Sequence, residues 1–337
     1  MLKIYTGEIL NYAYAPILYP NLGFLKRDKN LFTDNAFKNF KKPVFEIANK
    51  PEKADYFLLP HDYFLISKEK KYINSFSDLA EKYGKKIMIF AHGDSDNDIP
   101  VRNSIIFRTS KYGEDKKSNE IMMPAYAEDL LGSSTLEYRQ KKDKPTVGFC
   151  GWVLSKNLAQ KIFLALKNII KSGNRKTGLW FRQRIVKVLQ KSSLVKTNFI
   201  LRNSFSGHKA TINISPSVAR KEYLDNMLNS DFALAVKGYG NFSIRFYESL
   251  SLGRIPVFVD TDCILPFEDR INYKEFVLFV DYTDIEKIDV IITDFYKGLS
   301  EEQFSDMQKK ARKAFEEYLR IDAFFRKIPA ILGNLKN

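Results

Sequence analysis

Residues 237–260 read KGYGNFSIRFYESLSLGRIPVFVD, a glycine turn, a segment of helical period and a short apolar run that together decide the fold. DFALAV, residues 231–236, precedes this stretch as an apolar run suited to a buried strand, and IPVFVD, residues 255–260, closes it as another. Gly238 and Gly240 are expected to take backbone angles that other residues resist, so that the chain turns sharply out of the first strand. Asn241 or Ser243 is placed to cap the helix that follows, and Gly253 to end it. A helix that begins at such a turn aims unpaired N–H groups and the positive end of its dipole at whatever lies in front of it, and a phosphate suits that place.

Arg245 and Glu248 are three apart and share one helix face, while Ile244, Phe246, Leu250 and Leu252 supply apolar contacts. Glu248 lies five residues beyond Ser243, roughly 7 to 8 Å along the axis, which is about the span from a diphosphate to the ribose hydroxyls of the same nucleotide. The spacing suits a nucleotide-diphosphate lying along the helix. An ordinary strand, helix and strand with a surface Arg–Glu pair would carry the same glycines, so these residues leave both readings open.

The whole segment separates them. GNFSIRFYESLSLGRIPVFV, followed by Leu265-Pro266-Phe267, resembles the donor-binding motif of exostosin-like glycosyltransferases, glycosyltransferase family 47, with its run G-x-x-S-x-R-F-x-E-A-L-x-x-G-x-I-P-V. ADYFLLPHDYF resembles that family's N-terminal segment, PTVGFCGW the start of its second domain, and Arg220 with KEYLDNMLNSDFAL the approach to the donor loop. The chain departs from the pattern at Ser249 and Ser251, where alanine is common, and at Arg254, often a cysteine. These read as packing changes that leave Ser243, Arg245 and Glu248 in place.

A chain of 337 residues with 45% hydrophobic and 28% charged residues is that of a soluble globular protein long enough for two cores. No signal-peptide pattern or long apolar run is evident, so the expected location is cytoplasmic, or peripheral at the inner face of a membrane. Cys150 and Cys263, the two cysteines, are too few for a disulfide framework and are expected to be reduced and buried. A net charge of +14 calls for an anionic partner. The basic runs, Lys26 to Lys29, Lys41-Lys42, Lys68 to Lys71, Lys141 to Lys144, Arg182 to Lys187 and Lys309 to Lys313, match no nucleic-acid module, and they favour a phosphorylated substrate or an anionic membrane surface.

Short apolar runs alternate with polar or helical stretches in both halves. The spacing predicts an N-terminal α/β domain over residues 1–140, a linker in the polar, lysine-rich stretch from Asp129 to Pro145, a nucleotide-sugar-binding α/β domain over 145–320, and a helical tail over 321–337 packing across the two. Two Rossmann-like α/β halves suggest the GT-B arrangement, which the resemblance also implies. The cleft outside the carboxyl ends of the strands is then the expected site, with donor on the second half and acceptor on the first.

Sugar transfer needs a base for the acceptor hydroxyl and a positive environment for the departing diphosphate. Arg245, Ser243 and the helix N-terminus, with Lys237 and Arg220, are the candidates for the second task. For the base, two strand ends qualify: His61-Asp62 after DYFLLP, and His92 with Asp94 after KIMIFA. Asp94 is favoured because a glycine turn exposes it after a buried strand, with His61, Asp62 and His92 left to bind acceptor. HGDSDND, residues 92–98, looks like a cation loop, but it lacks the bidentate glutamate that would follow, and no metal is expected where protein cations do the neutralising. The expectation is an inverting, metal-independent transferase that uses no cofactor beyond a nucleotide-sugar co-substrate, UDP-linked, and acts on a glycan or glycolipid acceptor in polysaccharide biosynthesis. A catalytically inactive nucleotide-sugar or glycan-binding protein, and a basic nucleic-acid-binding protein, are the alternatives from other classes.

Overall fold

The computed structural model describes residues 1–26, 31–132, 134–155 and 157–335; Arg27 and Lys29 of the first basic run and the last two residues of the tail lie outside the described residues. The first half runs β1 (Lys3–Tyr5), α1 (Tyr19–Leu22), β2 (Glu46–Ile47), β3 (Tyr56–Leu58), α2 (Tyr63–Ile66), α3 (Lys70–Lys82), β4 (Ile87–Ala91), β5 (Ser104–Arg108) and β6 (Glu120–Met122). Its six strands are all parallel, in the order β2-β1-β3-β4-β5-β6. Parallel strands covered on both faces must be apolar throughout, and β4 and β3 are buried at every residue. On α3, Ile73, Phe76, Ser77 and Ala80 recur at helical spacing and are all buried.

The second half runs β7 (Thr146–Trp152), α4 (Leu158–Ile170), α5 (Gly178–Lys191), β8 (Lys196–Arg202), α6 (Pro216–Leu228), β9 (Phe232–Ala235), α7 (Ile244–Ser251), β10 (Ile255–Asp260), β11 (Leu278–Asp281), α8 (Ile288–Gly298) and α9 (Glu301–Ala314). Its five strands are also all parallel, ordered β11-β10-β9-β7-β8. A capping box opens α9, Ser300 with Gln303. A π-helical turn, Phe315–Leu319, then leads into α10 (Ile321–Asn334). Two parallel α/β sheets of this kind are the GT-B-like arrangement.

In each sheet the chain places its second strand on one side of the first and its third on the other. That reversal is the switch point at which open α/β sheets leave a crevice beyond the carboxyl ends of their strands. In the second half it falls between β7 and β9.

Two connections join the halves. The segment between β6 and β7 is pinned to the second half: Arg139 Nε donates to Asp231 Oδ1 at 2.5 Å, and Thr146 N donates to Asp231 Oδ2 at 2.8 Å. The chain crosses back at the end of α9. Ile321, Phe324, Phe325, Ile328 and Leu332 of α10 are then buried in one cluster with Phe90 and Phe107 of the first sheet.

Two of the departures from the family pattern serve the first of these connections. Ser251 Oγ accepts from Leu130 N at 3.2 Å, and the buried Arg254 guanidinium donates to the Glu137 carbonyl at 3.1 and 3.2 Å. Arg254 is therefore more than a packing change. Of the cysteines, Cys150 is buried as expected, whereas Cys263 is half-buried; both are free.

Candidate active site

The loop after β9, residues 236–243, carries the site and is held from two sides. On one side α5 begins directly beneath it: a Cβ on Gly178 would fall 2.1 Å from the Lys237 carbonyl oxygen, so only glycine fits. One turn further along α5, Arg182 Nη2 donates to that same carbonyl at 2.7 Å. On the other side the loop meets the first half. Gly240 N donates to Asp94 Oδ1 at 3.1 Å, and Asn241 N to Ser110 Oγ at 2.8 Å.

These contacts revise the reading of the glycines. Neither Gly238 nor Gly240 takes a positive φ. Gly240 is needed for close approach instead, because a Cβ there would lie 2.7 Å from Asp94 Cα and 2.8 Å from its carbonyl oxygen, atoms of the backbone that cannot step aside. Gly238 has only the Asp94 carboxylate and Arg182 near its Cβ position, at 3.9 and 4.0 Å. Gly253 does end α7 in the left-handed region, at φ +59°.

Asn241 does not cap the helix. Its side chain is buried, donating to the Lys111 and Asp262 carbonyls and accepting from Thr261 Oγ1 at 2.6 Å, and so it stitches the halves together. Ser243 occupies the N-cap position of α7 but makes no side-chain cap bond.

Arg245 lies in the first turn of α7 with its guanidinium 4.2 Å from the centre of the Phe149 ring, and Nη2 donates to the Cys150 carbonyl at 2.6 Å. Cys150 and Trp152 end β7, so this cation sits at the switch point. Arg182 reaches the same place from α5, its Nη1 3.5 Å from the Trp152 carbonyl oxygen. Burial, and then repulsion from Arg245, push the Arg182 guanidinium down to about 9. The Nε atoms of both arginines are buried without a hydrogen-bond partner. Two neighbouring like charges with orphaned donors are costly unless an anion joins them. Arg182 went unnoticed in the sequence because nothing local distinguishes it from its neighbours in the Arg182–Lys187 run.

Glu248 stands on the same face of α7 as Arg245. Its Oε2 accepts from the Tyr223 hydroxyl at 2.5 Å, and Arg245 lies 5.6 Å from the Tyr223 ring. Burial raises the Glu248 carboxyl above its usual range, against the opposing pull of the Tyr223 hydrogen bond and of Arg245 and Arg220. Tyr223, on α6, is a second residue the sequence did not reveal: it fixes the orientation of a carboxylate 25 positions away.

Asp94 follows β4. Gly93 turns the chain at φ +146°, and Thr109 Oγ1 bridges its N–H and carbonyl at 3.0 Å each. Burial raises the Asp94 carboxyl, and the Gly240 N–H and Arg182 pull it back.

The other candidates have structural work. His61 is fully buried, with Nε2 accepting from Leu10 N at 2.9 Å and Nδ1 3.2 Å from the Ala13 carbonyl oxygen, so it cannot reach a substrate. Asp62 caps α2 through Phe64 N at 3.1 Å and takes the His92 N–H on its other oxygen at 2.7 Å. The His92 ring stacks on Tyr126, 3.7 Å between centres, and accepts from Tyr126 N at 3.3 Å. Lys237 turns its buried ammonium to Tyr112 Oη at 2.9 Å and to the Asn174 carbonyl; burial, with Lys171 and Arg175, lowers it to about 7. Arg220 is ion-paired with Glu128 of the first half.

The HGDSDND loop is likewise committed. Asp98 is hydrogen-bonded to Lys111 and Lys117, which hold its carboxyl down to about 2, and Asp96 faces Arg175 at 3.6 Å. Among the described residues no cluster of three or more His, Cys, Asp or Glu side chains could hold a metal ion.

Comparison with known proteins accords with this geometry in the second half. The exostosin GT47 domain model matches residues 154–295, a span that includes Arg182, Tyr223, Arg245 and Glu248 and leaves Asp94 outside. A "Probable glucuronosyltransferase" of Oryza sativa subsp. japonica is 37% identical over 71 residues, 21% of this chain and 17% of that protein. A "Probable glycosyltransferase" of Arabidopsis thaliana is 33% identical over 97 residues, 28% of this chain and 18% of its own length. A "Probable beta-1,4-xylosyltransferase" of the same plant is 35% identical over 71 residues, 21% and 17% of the two chains. The chain thus spans under a fifth of these relatives' length. Among solved structures, "Crystal Structure of TarM" aligns with a TM-score of 0.35 at 8% identity, over 72% of this chain and 54% of that one. The arginine pair, the glycine-bounded helix and the Glu248 carboxylate all lie inside the matched span, over which the chain is similar to the exostosin GT47 domain and, distantly, to the plant glucuronosyl- and xylosyltransferases.

Proposed function

We propose that the protein is an inverting glycosyltransferase that takes a sugar from a UDP-linked donor to a glycan or glycolipid acceptor in polysaccharide synthesis. The observation that carries this reading is the pair Arg182–Arg245, two cations with buried, unpartnered Nε atoms at the switch point of the second sheet. A diphosphate placed there receives their N–H groups and the N-terminus of α7, and these neutralise the charge that grows as the glycosidic bond breaks. Glu248, steadied by Tyr223, accepts the ribose hydroxyls. Asp94, across the seam, takes the acceptor hydroxyl's proton while that oxygen attacks the anomeric carbon from the face opposite the diphosphate.

Titration calorimetry with UDP tests the donor site. The parent is expected to bind, and Glu248→Ala to weaken binding by roughly tenfold or more, the scale of a hydrogen bond to a charged group. Unchanged affinity in a folded Glu248→Ala protein would remove Glu248 from the site, and no binding by the parent would remove the donor reading itself. Because side chains carry the leaving-group charge here, transfer of radiolabelled sugar is expected to continue in EDTA. Loss of transfer in chelator with recovery on adding manganese would reject that mechanism.

A further inference from the structure

α4 is unusual for a helix of a globular domain, because its apolar side faces outward. Leu158, Ile162, Phe163, Leu166, Ile169 and Ile170 are each 52 to 85% exposed. At 3.6 residues per turn these six fall within an arc of roughly 140°, a continuous apolar stripe. The opposite side is tied to the domain: Asn168 Oδ1 accepts from Thr177 N at 2.9 Å, at the start of α5. The stripe is thus held outward rather than left loose.

The stretch of sequence that contains it is one-sided in charge. Sixteen Lys and Arg, and no Asp or Glu, lie between residues 144 and 221. Among the described residues five of these cations are paired with carboxylates outside the stretch: Arg175 with Asp96, Glu114 and Asp115, Arg184 with Glu286, Arg202 with Glu222, Arg220 with Glu128 and Lys221 with Asp225. Lys171, which follows α4, and Lys187 and Lys191 of α5 are exposed. Lys167 falls at the edge of the apolar arc, its Nζ 5.8 Å from the ring of Tyr239 in the donor loop.

We propose that α4 is a membrane-docking helix that lies flat in the headgroup region of an anionic lipid bilayer, its stripe inserted and the surrounding lysines on the phosphates. An outward apolar stripe bordered by cations is the pattern of an interfacial helix. At 13 residues α4 is about 20 Å long and too short to cross a hydrocarbon core of about 30 Å. A second copy of this chain would bring a second cationic face against the first, which repulsion opposes, whereas an anionic bilayer satisfies both the charge and the apolar area. The Lys167–Tyr239 contact sets the donor loop beside the docked helix, so the site would open at the level of the headgroups.

Co-sedimentation of the full chain with phosphatidylcholine vesicles, with and without phosphatidylglycerol, tests this. The parent is expected to bind the mixed vesicles roughly tenfold or more tightly than pure phosphatidylcholine. The triple variant Ile162→Ser, Leu166→Ser, Ile169→Ser is expected to lose roughly tenfold or more of that affinity, with an unchanged circular dichroism spectrum; Leu166→Glu alone serves if the triple variant fails to fold. Equal binding by parent and variant would overturn the proposal, since charge alone would then account for adsorption. So would an absence of vesicle binding together with a dimer, seen by sedimentation velocity, that the variant abolishes, or with retention of the parent by a nucleic acid.

Discussion

Asp94→Asn is expected to bind UDP as the parent does and to lose turnover by a factor of about 10² or more, the usual scale for a positioned base. The substitution is clean because an asparagine oxygen can still accept from Gly240 N, the 3.1 Å contact that joins the halves. Only the basicity goes. The pH profile gives an independent readout. A base must be deprotonated to act, and burial raises the Asp94 carboxyl, so kcat/KM of the parent should fall with decreasing pH at a value above that of an ordinary carboxyl. That acid limb should be absent from the residual activity of Asp94→Asn. Asp62→Asn offers the contrast: its carboxylate caps α2 and holds the His92 N–H, so stability rather than turnover should drop. Near-normal turnover in Asp94→Asn with collapse in a folded Asp62→Asn would move the base to Asp62.

Arg245→Lys is expected to cost turnover by a factor on the order of 10², although the positive charge is kept. The guanidinium lies over Phe149 and spends one nitrogen on the Cys150 carbonyl, which leaves its other N–H groups for a diphosphate. A lysine ammonium has no fixed fork and cannot hold both partners in one plane. Steady-state kinetics at saturating donor checks this: a lysine variant with parental kcat would reduce Arg245 to a support for the end of β7. Removing the fork leaves Arg182 facing the diphosphate alone, so kcat should suffer more than KM if the contact strengthens as the leaving group departs.

The second half was the more legible part of the chain. Residues 231–260 contain a complete strand, turn, helix and strand, so alternation of apolar runs with glycines places β9, α7 and β10, and the shared face of Arg245 and Glu248 follows from helical spacing. What the sequence misplaced were pairings made over distance. Gly240 looks like a turn residue and is in fact a contact residue, because the backbone of Asp94, 146 positions away, passes against it. Arg182 and Tyr223 lie on helices whose approach to α7 depends on the strand order of the sheet, which periodicity does not encode. His61 and Asp62 sit at the carboxyl end of β3, as expected of site residues, yet the segment from Leu10 to Ala13 occupies both His61 nitrogens. A strand end marks where chemistry can be placed without saying which side chains are already spent on holding the turn.

The return of α10 to the first sheet has a consequence for synthesis. Residues 146–319 are one continuous stretch of sequence that supplies the whole second sheet, whereas the first sheet, although it precedes that stretch in the chain, lacks Ile321, Phe324, Phe325, Ile328 and Leu332 of its core until α10 has also been made. A domain missing that much apolar burial stays marginal. The order of maturation of the two halves is therefore expected to run against their order in the chain: the second half can fold first, and the earlier half is completed only when α10 joins it.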